Sequence, residues 1–129
     1  GILSHPERNQ GLLRKPELIE SLVDAGTLMQ VTAGSLSGTF GPASQEFAEK
    51  MVACRQVHFI ATDAHGARSR RPLMRRAFER VVELSDWQYA VDVCCTNPAS
   101  VVSGKHVKIP AQVLAKRSFA NGFGWRKAG

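Results

Sequence analysis

The sequence predicts an α/β fold with about three parallel strands and helices between them. Short apolar runs alternate with longer segments whose apolar residues recur at helical spacing, in the order β-α-β-α-β-α-α-α. Strands that alternate with helices in this way are parallel and are joined by helical crossovers. Three strands cannot close a barrel, and a parallel sheet needs cover on both faces. We therefore expect this chain to be one part of a larger α/β domain.

The three strands are predicted at residues 1–4, 27–32 and 57–62, each of which is a compact and mostly apolar run. A glycine-rich loop at residues 33–41 follows the second strand, and a charged loop at residues 63–71 follows the third. The glycine-rich loop lacks the GK[ST] ending of a nucleotide phosphate loop, so we do not predict that function for it.

The predicted helices begin at prolines or capping residues, and two of them end at glycines. Proline suits the first turn of a helix, and Asp, Ser and Asn are common caps. The first helix is expected to end at Gly26 and the last, short one at Gly104. The predicted starts are Pro16, Pro42, Pro72, either Ser85 or Asp86, and Asn97 followed by Pro98.

The composition is that of a globular protein with one core, because 43% of the 129 residues are hydrophobic and 22% are charged. No apolar run approaches the about 20 residues that span a bilayer, and residues 1–15 lack the pattern of a signal peptide. The three cysteines have no CxxC spacing and predict reduced, buried thiols in a cytoplasmic protein. The net charge of +6 favours anionic partners.

The chain divides into a patterned part and a basic tail. Residues 1–104 carry all the predicted strands and helices. From residue 105 the periodicity fades, and no acidic residue follows Asp92, so residues 105–129 form a tail rich in lysine and arginine. We expect this tail to be partly mobile.

Three residues with metal-binding side chains directly follow predicted strands. His5 follows the first strand, and Asp63 and His65 follow the third. Because proline restricts the residue before it, Pro6 predicts that His5 leaves its strand in an extended conformation. Barrel-like α/β enzymes present their chemistry at strand ends, and imidazole together with carboxylate suits a divalent transition metal.

Arginines follow the same strand ends. Arg8 lies three residues after His5, and the run Arg68–Arg71 begins three residues after His65. Guanidinium is the preferred protein group for binding phosphate. Metal ligands and arginines together therefore predict a metal-dependent phosphoesterase. The remaining histidines, His58 within a strand and His106 near the tail, are predicted to be structural or solvent-facing.

The order and spacing of these motifs resemble the C-terminal half of the polymerase-and-histidinol-phosphatase (PHP) superfamily. The likeness is strongest to the bacterial tyrosine-protein phosphatases of capsule and exopolysaccharide synthesis. It extends further at residues 96–105 (TNPASVVSGK). The matching segments are residues 4–9 (SHPERN), 28–41 (LMQVTAGSLSGTFG), 57–65 (VHFIATDAH) and 70–73 (RRPL).

The resemblance implies a distorted (β/α)7 TIM-like barrel, of which this chain is a part, with two or three manganese, iron or zinc ions. It implies that His5, Asp63 and His65 are metal ligands and that Arg8 holds the phosphate. A second catalytic arginine is implied in the Arg68–Arg71 run. The family spacing counted forward from the aspartate of the DAH motif (residues 63–65) favours Arg70. The same spacing counted back from Pro72 favours Arg71.

The family pattern includes an HxH strand, a further histidine and a glutamate before the HPER motif, which is residues 5–8 here. No segment of this sequence matches those earlier parts of the pattern. We therefore expect a truncated chain or a split gene, little activity from the chain alone, and an upstream half-barrel or a second copy that completes the sheet. The implied substrate is phosphotyrosine on a polysaccharide-synthesis kinase in the cytoplasm.

Two alternatives stay open. The first is a histidinol-phosphatase-like enzyme or one that hydrolyses another small phosphomonoester. The second is a non-catalytic module whose basic surface docks an acidic partner or nucleic acid. The sequence contains no recognised nucleic-acid motif, which makes nucleic acid the less favoured partner.

Overall fold

The computed structural model describes residues 1–68, 72–107 and 109. Three strands form one parallel sheet in the order β1-β2-β3, with β1 at Ile2–Ser4, β2 at Leu28–Thr32 and β3 at Phe59–Ala61. The prediction of an α/β fold with three parallel strands is confirmed. Because the strands are parallel, their carboxyl ends meet at one edge of the sheet.

Six helices connect and cover the strands within the described residues. They are α1 (Gln10–Arg14), α2 (Leu18–Asp24), α3 (Pro42–Ala53), α4 (Met74–Leu84), α5 (Trp87–Val91) and α6 (Asn97–Val102). Two short 3-10 turns, Pro6–Arg8 and Ser35–Ser37, follow the ends of β1 and β2. None of the helices in the described ranges is long and apolar enough to cross a membrane. Most of the predicted basic tail, residues 108 and 110–129, lies outside the described residues.

Strand β2 is central and carries the core. Met29 and Val31 are fully buried, and they pack in one cluster with Ile19 of α2, Met51 of α3 and Val81 of α4. Strand β1 lies at the edge of the described sheet and stays largely exposed, Ile2 included. A parallel strand is normally covered on both faces. Because Ile2 and Ser4 are exposed and Leu3 is half-buried, β1 is the least covered strand of this sheet.

Helix α1 was not predicted. Its cap is Asn9, whose Oδ1 accepts hydrogen bonds from the backbone N–H groups of Gly11 at 2.9 Å and Leu12 at 3.1 Å. Asn, Asp and Ser are the strongest helix caps because their side-chain oxygens satisfy the first free N–H groups. The expectation that Asp86 caps a helix is confirmed, since its carboxylate accepts from the Tyr89 N–H at 2.8 Å.

The prediction that Asn97 caps the last helix is wrong. Asn97 has helical backbone angles, and the helical path runs from Trp87 to Val102 through a wider π segment at Asp92–Thr96. Pro98 has no N–H, and its ring would clash with the carbonyl four residues earlier in a regular helix. The wider turn avoids that clash and lets the helix continue. The Asn97 Nδ2 instead donates to the His58 carbonyl at 2.9 Å.

Two buried polar side chains tie this helical segment and β2 to the segment that leads into β3. The Tyr89 hydroxyl donates to the Val57 carbonyl at 2.7 Å and accepts from the Val57 N–H at 3.2 Å. The His58 Nδ1 accepts from the Met29 N–H at 3.0 Å, and the ring is almost fully buried. His58 therefore has the predicted structural role, because it satisfies a backbone donor inside the sheet.

The three cysteines are free thiols, and the prediction that all are buried is wrong for Cys95, which is exposed. Cys54 and Cys94 are half-buried. Burial raises the pKa of the Cys94 thiol to about 12 and also raises the pKa of Cys54. Low thiolate content makes both of these groups weak nucleophiles at neutral pH.

Burial of His58 makes the stability of the fold depend on pH. Burial lowers the pKa of the imidazole from 6.5 to about 4, so the folded chain binds fewer protons than the unfolded chain between these values. The stabilisation is complete above pH 6.5 and is lost as the pH falls toward 4. We expect the free energy of unfolding to fall by about 2 kcal/mol between pH 7 and pH 5 through this residue.

Urea unfolding at the two pH values would measure this loss. In His58→Gln the amide oxygen can still accept from the Met29 N–H but cannot titrate, so the loss should largely disappear. His106→Gln changes an exposed histidine and serves as the matched control. An unchanged pH dependence in His58→Gln would rule out this residue as its source.

Candidate metal and phosphate site

The candidate residues lie at the carboxyl edge of the sheet, where ligands bind in open α/β sheets. His5 follows β1 directly. Asp63 lies two residues beyond Ala61, which is the last residue of β3 and pairs with Thr32 of β2. Strand β2 lies between the outer strands, so β1 and β3 are separated by about 10 Å. The carboxyl end of β2 therefore lies between the two candidate ligand positions.

Both strand ends carry a left-handed residue. His5 has φ 40° and Asp63 has φ 47°, and among the described non-glycine residues Arg55 alone shares a positive φ. The prediction that His5 is extended is wrong. Its N–H donates to the Gln30 carbonyl at 2.8 Å, and its carbonyl accepts from the Arg8 N–H at 3.1 Å. These bonds hold the tight turn into Pro6–Arg8, and proline disfavours the right-handed helical region for the residue before it. Left-handed backbone conformations of non-glycine residues cost free energy, and they cluster at functional sites.

Arg8 and Asp63 join the two outer strand ends. The Arg8 Nη1 donates to the Asp63 Oδ2 at 2.8 Å, and the two side chains are 27% and 24% exposed. The Arg8 guanidinium also lies over the Phe40 ring, with Cζ 4.0 Å from the ring centroid. An aromatic face attracts a cation, so both contacts hold the guanidinium at the carboxyl edge.

His65 lies next to Asp63 and is held by its backbone. The His65 Nδ1 is 2.7 Å from the Asp63 carbonyl oxygen and 3.6 Å from the Asp63 Oδ1, and the His65 side chain is 58% exposed. A histidine whose Nδ1 bonds to a carbonyl keeps its Nε2 available for a metal ion. Asp63 and His65 therefore lie close together beyond the end of β3, and their role as metal ligands stays a prediction.

Glu7 is a buried residue beside the candidate site, and the sequence analysis missed its structural role. It is 0% exposed, and its Oε1 accepts from the Thr32 N–H at 3.0 Å and from the Ser35 hydroxyl at 2.7 Å. Its Oε2 is buried without a hydrogen-bond partner among the described residues. The carboxylate thus fastens the turn that carries Arg8 to the end of β2. Its position inside HPER was the available signal, but the motif does not reveal that the side chain points inward.

The candidate metal ligands do not form a complete cluster among the described residues. Between residues 1 and 107, apart from 69–71, no group of three or more His, Cys, Asp or Glu side chains is close enough to hold a metal ion. His5 therefore shares the sheet edge with Asp63 and His65 but does not form a three-ligand cluster with them. The two candidate arginines Arg70 and Arg71 lie outside the described residues.

Comparisons with known proteins agree with this geometry. The structure overlaps a solved chain among those of YwqE from Bacillus subtilis and CpsB from Streptococcus pneumoniae, described as unique metal-dependent tyrosine phosphatases. The TM-score is 0.78 at 27% identity, and the overlap covers 83% of this chain and 43% of the other. The chain thus spans under half of that structure.

Two curated relatives match at the sequence level. The chain is 39% identical over 69 residues to the tyrosine-protein phosphatase YwqE of Bacillus subtilis (strain 168), which covers 54% of this chain and 27% of YwqE. It is 38% identical over 77 residues to CapC of Staphylococcus aureus, which covers 60% of this chain and 30% of CapC. The chain spans less than a third of the length of either relative.

A family model described as capsular polysaccharide synthesis, CpsB/CapC, matches residues 1–103. This range contains all three strands, the left-handed strand ends and the contact between Arg8 and Asp63. The resemblance inferred from the HPER and DAH motifs is confirmed, and the chain belongs to the CpsB/CapC family of capsular polysaccharide synthesis.

Proposed function

We propose that this chain forms part of a metal-dependent phosphatase that hydrolyses phosphotyrosine in proteins that control capsular or exopolysaccharide synthesis. The observation that carries the proposal is the contact of Arg8 with Asp63 at the carboxyl edge, within the range that the family model matches. The relatives described as tyrosine phosphatases support the reaction, and the family description supports the pathway.

The donor set fits divalent metal ions. His5 and His65 supply imidazole, Asp63 supplies carboxylate, and such mixed ligands suit Mn, Fe or Zn. Because β2 separates His5 from the other two, we propose that they serve different ions of a cluster of two or three, completed by ligands from outside this chain. When bound, the metal ions would lower the pKa of a water molecule and neutralise charge on the phosphate.

Arg8 is the proposed phosphate-binding residue. Its planar guanidinium has several N–H donors in a fixed fork, and the structure shows the Nη1 bonded to the Asp63 Oδ2. The phosphoryl oxygens would take the place of this carboxylate when Asp63 turns to a metal ion. Charge-assisted, two-pronged hydrogen bonds would then hold the phosphate. Either Arg70 or Arg71 is proposed as a second phosphate contact.

The partners and location are part of the same proposal. The substrate would be a phosphotyrosine of a cytoplasmic segment of a polysaccharide-synthesis tyrosine kinase, and the phosphatase would act in the cytoplasm. An upstream half-barrel, or a second copy of this chain, would pair with the open side of β1. The exposure of this strand supports that arrangement.

The incomplete ligand set leads to a direct test of the function. We expect little manganese-dependent hydrolysis of a phosphotyrosine peptide by this chain alone, and restored hydrolysis when the upstream strands precede it. Metal analysis should show fewer than one bound ion per isolated chain and two or three in the extended protein. Strong turnover by the chain alone would contradict the incomplete site.

Histidinol phosphate, assayed beside the peptide, tests the alternative substrate class. Faster hydrolysis of histidinol phosphate would overturn the assignment to protein phosphotyrosine. Salt-sensitive binding to nucleic acid without any hydrolysis by the extended protein would favour the basic binding module.

A further inference from the structure

A cleft of about 180 Å³ opens at the carboxyl edge directly beside Asp63. Its lining includes the ring of Phe40, the side chain of Leu73, three threonines and the backbone at Gly34. Sites that take a whole drug-sized molecule measure about 300–1,000 Å³. This cleft is smaller, and its size suits a single side chain rather than a helix or a cofactor.

The cleft places an apolar wall next to a cation. Phe40 and Leu73 are half-buried, and the Arg8 guanidinium lies 4.0 Å from the centroid of the Phe40 ring. The same guanidinium contacts Asp63, which also lines the cleft. A ligand that fits this arrangement has an anionic group for Arg8 and a compact apolar group that enters the cleft.

Gly34 allows the Phe40 ring to occupy its position. A Cβ atom at Gly34 would lie 3.3 Å from the Phe40 Cε2 and 3.2 Å from the Thr39 Oγ1. Both distances are shorter than ordinary contacts, so any larger residue at position 34 would push the ring and Thr39 outward. The ring is therefore fixed between the backbone at Gly34 and the Arg8 side chain.

We propose that this cleft binds the aromatic ring of the substrate, so that Phe40 and Leu73 select aryl phosphates over alkyl phosphates. The inference rests on the proposed phosphatase function and adds how the same site would discriminate phosphotyrosine from phosphoserine. Two aromatic rings attract each other in edge or offset packing beyond the burial of their area. Phosphoserine has no ring to place against Phe40, and it would leave the cleft to water.

The test uses two inhibitors that cannot be hydrolysed, so differences in leaving group do not enter. Phenylphosphonate and methylphosphonate would compete with substrate in the full-length, metal-loaded protein. Phe40→Leu keeps an apolar side chain but removes the ring, and it should reduce the preference for phenylphosphonate about tenfold. Gly34→Ala should reduce the preference in the same direction while the Phe40 ring is retained.

Trp87→Leu is the matched control. Trp87 is 65% exposed and packs against Phe78 on the α4–α5 surface, with ring centroids 4.9 Å apart. Removal of this ring should leave the ratio of the two inhibition constants unchanged. Phenylphosphonate should also shift the NMR signals of the Leu73 methyl groups, and methylphosphonate should shift them much less.

The outcomes separate the two proposals. A ratio within twofold of the unsubstituted protein in Phe40→Leu, with unmoved Leu73 methyl signals, would overturn the ring cleft while metal-dependent hydrolysis still supports the phosphatase. Absence of metal-dependent hydrolysis would overturn the phosphatase. The methyl signals would then still decide whether the cleft takes an aryl group.

Discussion

Replacing Glu7 with alanine is expected to lower the free energy of unfolding by about 3 kcal/mol. The side chain is fully buried, and its loss leaves the Thr32 N–H and the Ser35 hydroxyl without their acceptor. A cavity remains between the turn Pro6–Arg8 and the end of β2. The substitution also removes the buried Oε2, which has no hydrogen-bond partner among the described residues. The free energy gained in this way offsets only part of the loss.

Urea or thermal unfolding would measure the change. Glu7→Gln keeps an oxygen acceptor of the same length, and it should lose much less stability than Glu7→Ala. Glu17→Ala, at an exposed position just before α2, is the matched control and should stay within about 0.5 kcal/mol of the unsubstituted chain. Equal effects of alanine at positions 7 and 17 would show that the buried carboxylate does not fasten the turn.

Replacing Arg8 with lysine is expected to lower kcat/KM for a phosphotyrosine peptide about 100-fold in the full-length protein, because one preorganised donor to the phosphate is lost. Lysine retains the positive charge but not the planar fork that matches two phosphate oxygens. It also cannot lie flat on the Phe40 ring as the guanidinium does at 4.0 Å.

Steady-state kinetics with saturating manganese would measure the effect. Arg14→Lys, at an exposed position of α1, changes the same kind of residue away from the sheet edge and should leave kcat/KM unchanged. Unfolding curves of both variants would show whether the fold is intact. Full activity of Arg8→Lys with an intact fold would remove Arg8 from the proposed phosphate site.

The strands and most helices were predictable because their signals are local. Residues 28–32 form a strand because an apolar run is bounded by Gly26 and a glycine-rich loop, and α3 begins at Pro42 as its position suggests. The pairing of Asp63 with His65 was equally local. The parallel order followed from the alternation of helices and strands, which does not require knowledge of distant contacts.

The errors concern residues whose conformation is decided by distant parts of the chain. Proline alone favours extended backbone at His5, but the bond from its N–H to the Gln30 carbonyl on β2 accompanies a left-handed turn. Asn97 is an ordinary capping residue in isolation, yet its amide bonds to His58 across the fold. A glutamate between proline and arginine is typical of an exposed turn, and only the end of β2 makes Glu7 a buried acceptor.

The left-handed backbone at His5 and Asp63 sets thermal stability against the proposed metal binding at the same two positions. Glycine would relieve a backbone cost on the order of 1 kcal/mol at each of them, but it would delete the imidazole or the carboxylate. A laboratory selection for thermal tolerance alone would therefore favour glycine at position 5, where the side chain is exposed, whereas at position 63 the loss of the ion pair with Arg8 would offset the gain. Glycine at either position would remove a proposed metal ligand. Engineering of family members for industrial durability should leave these two residues unchanged and seek its gains elsewhere.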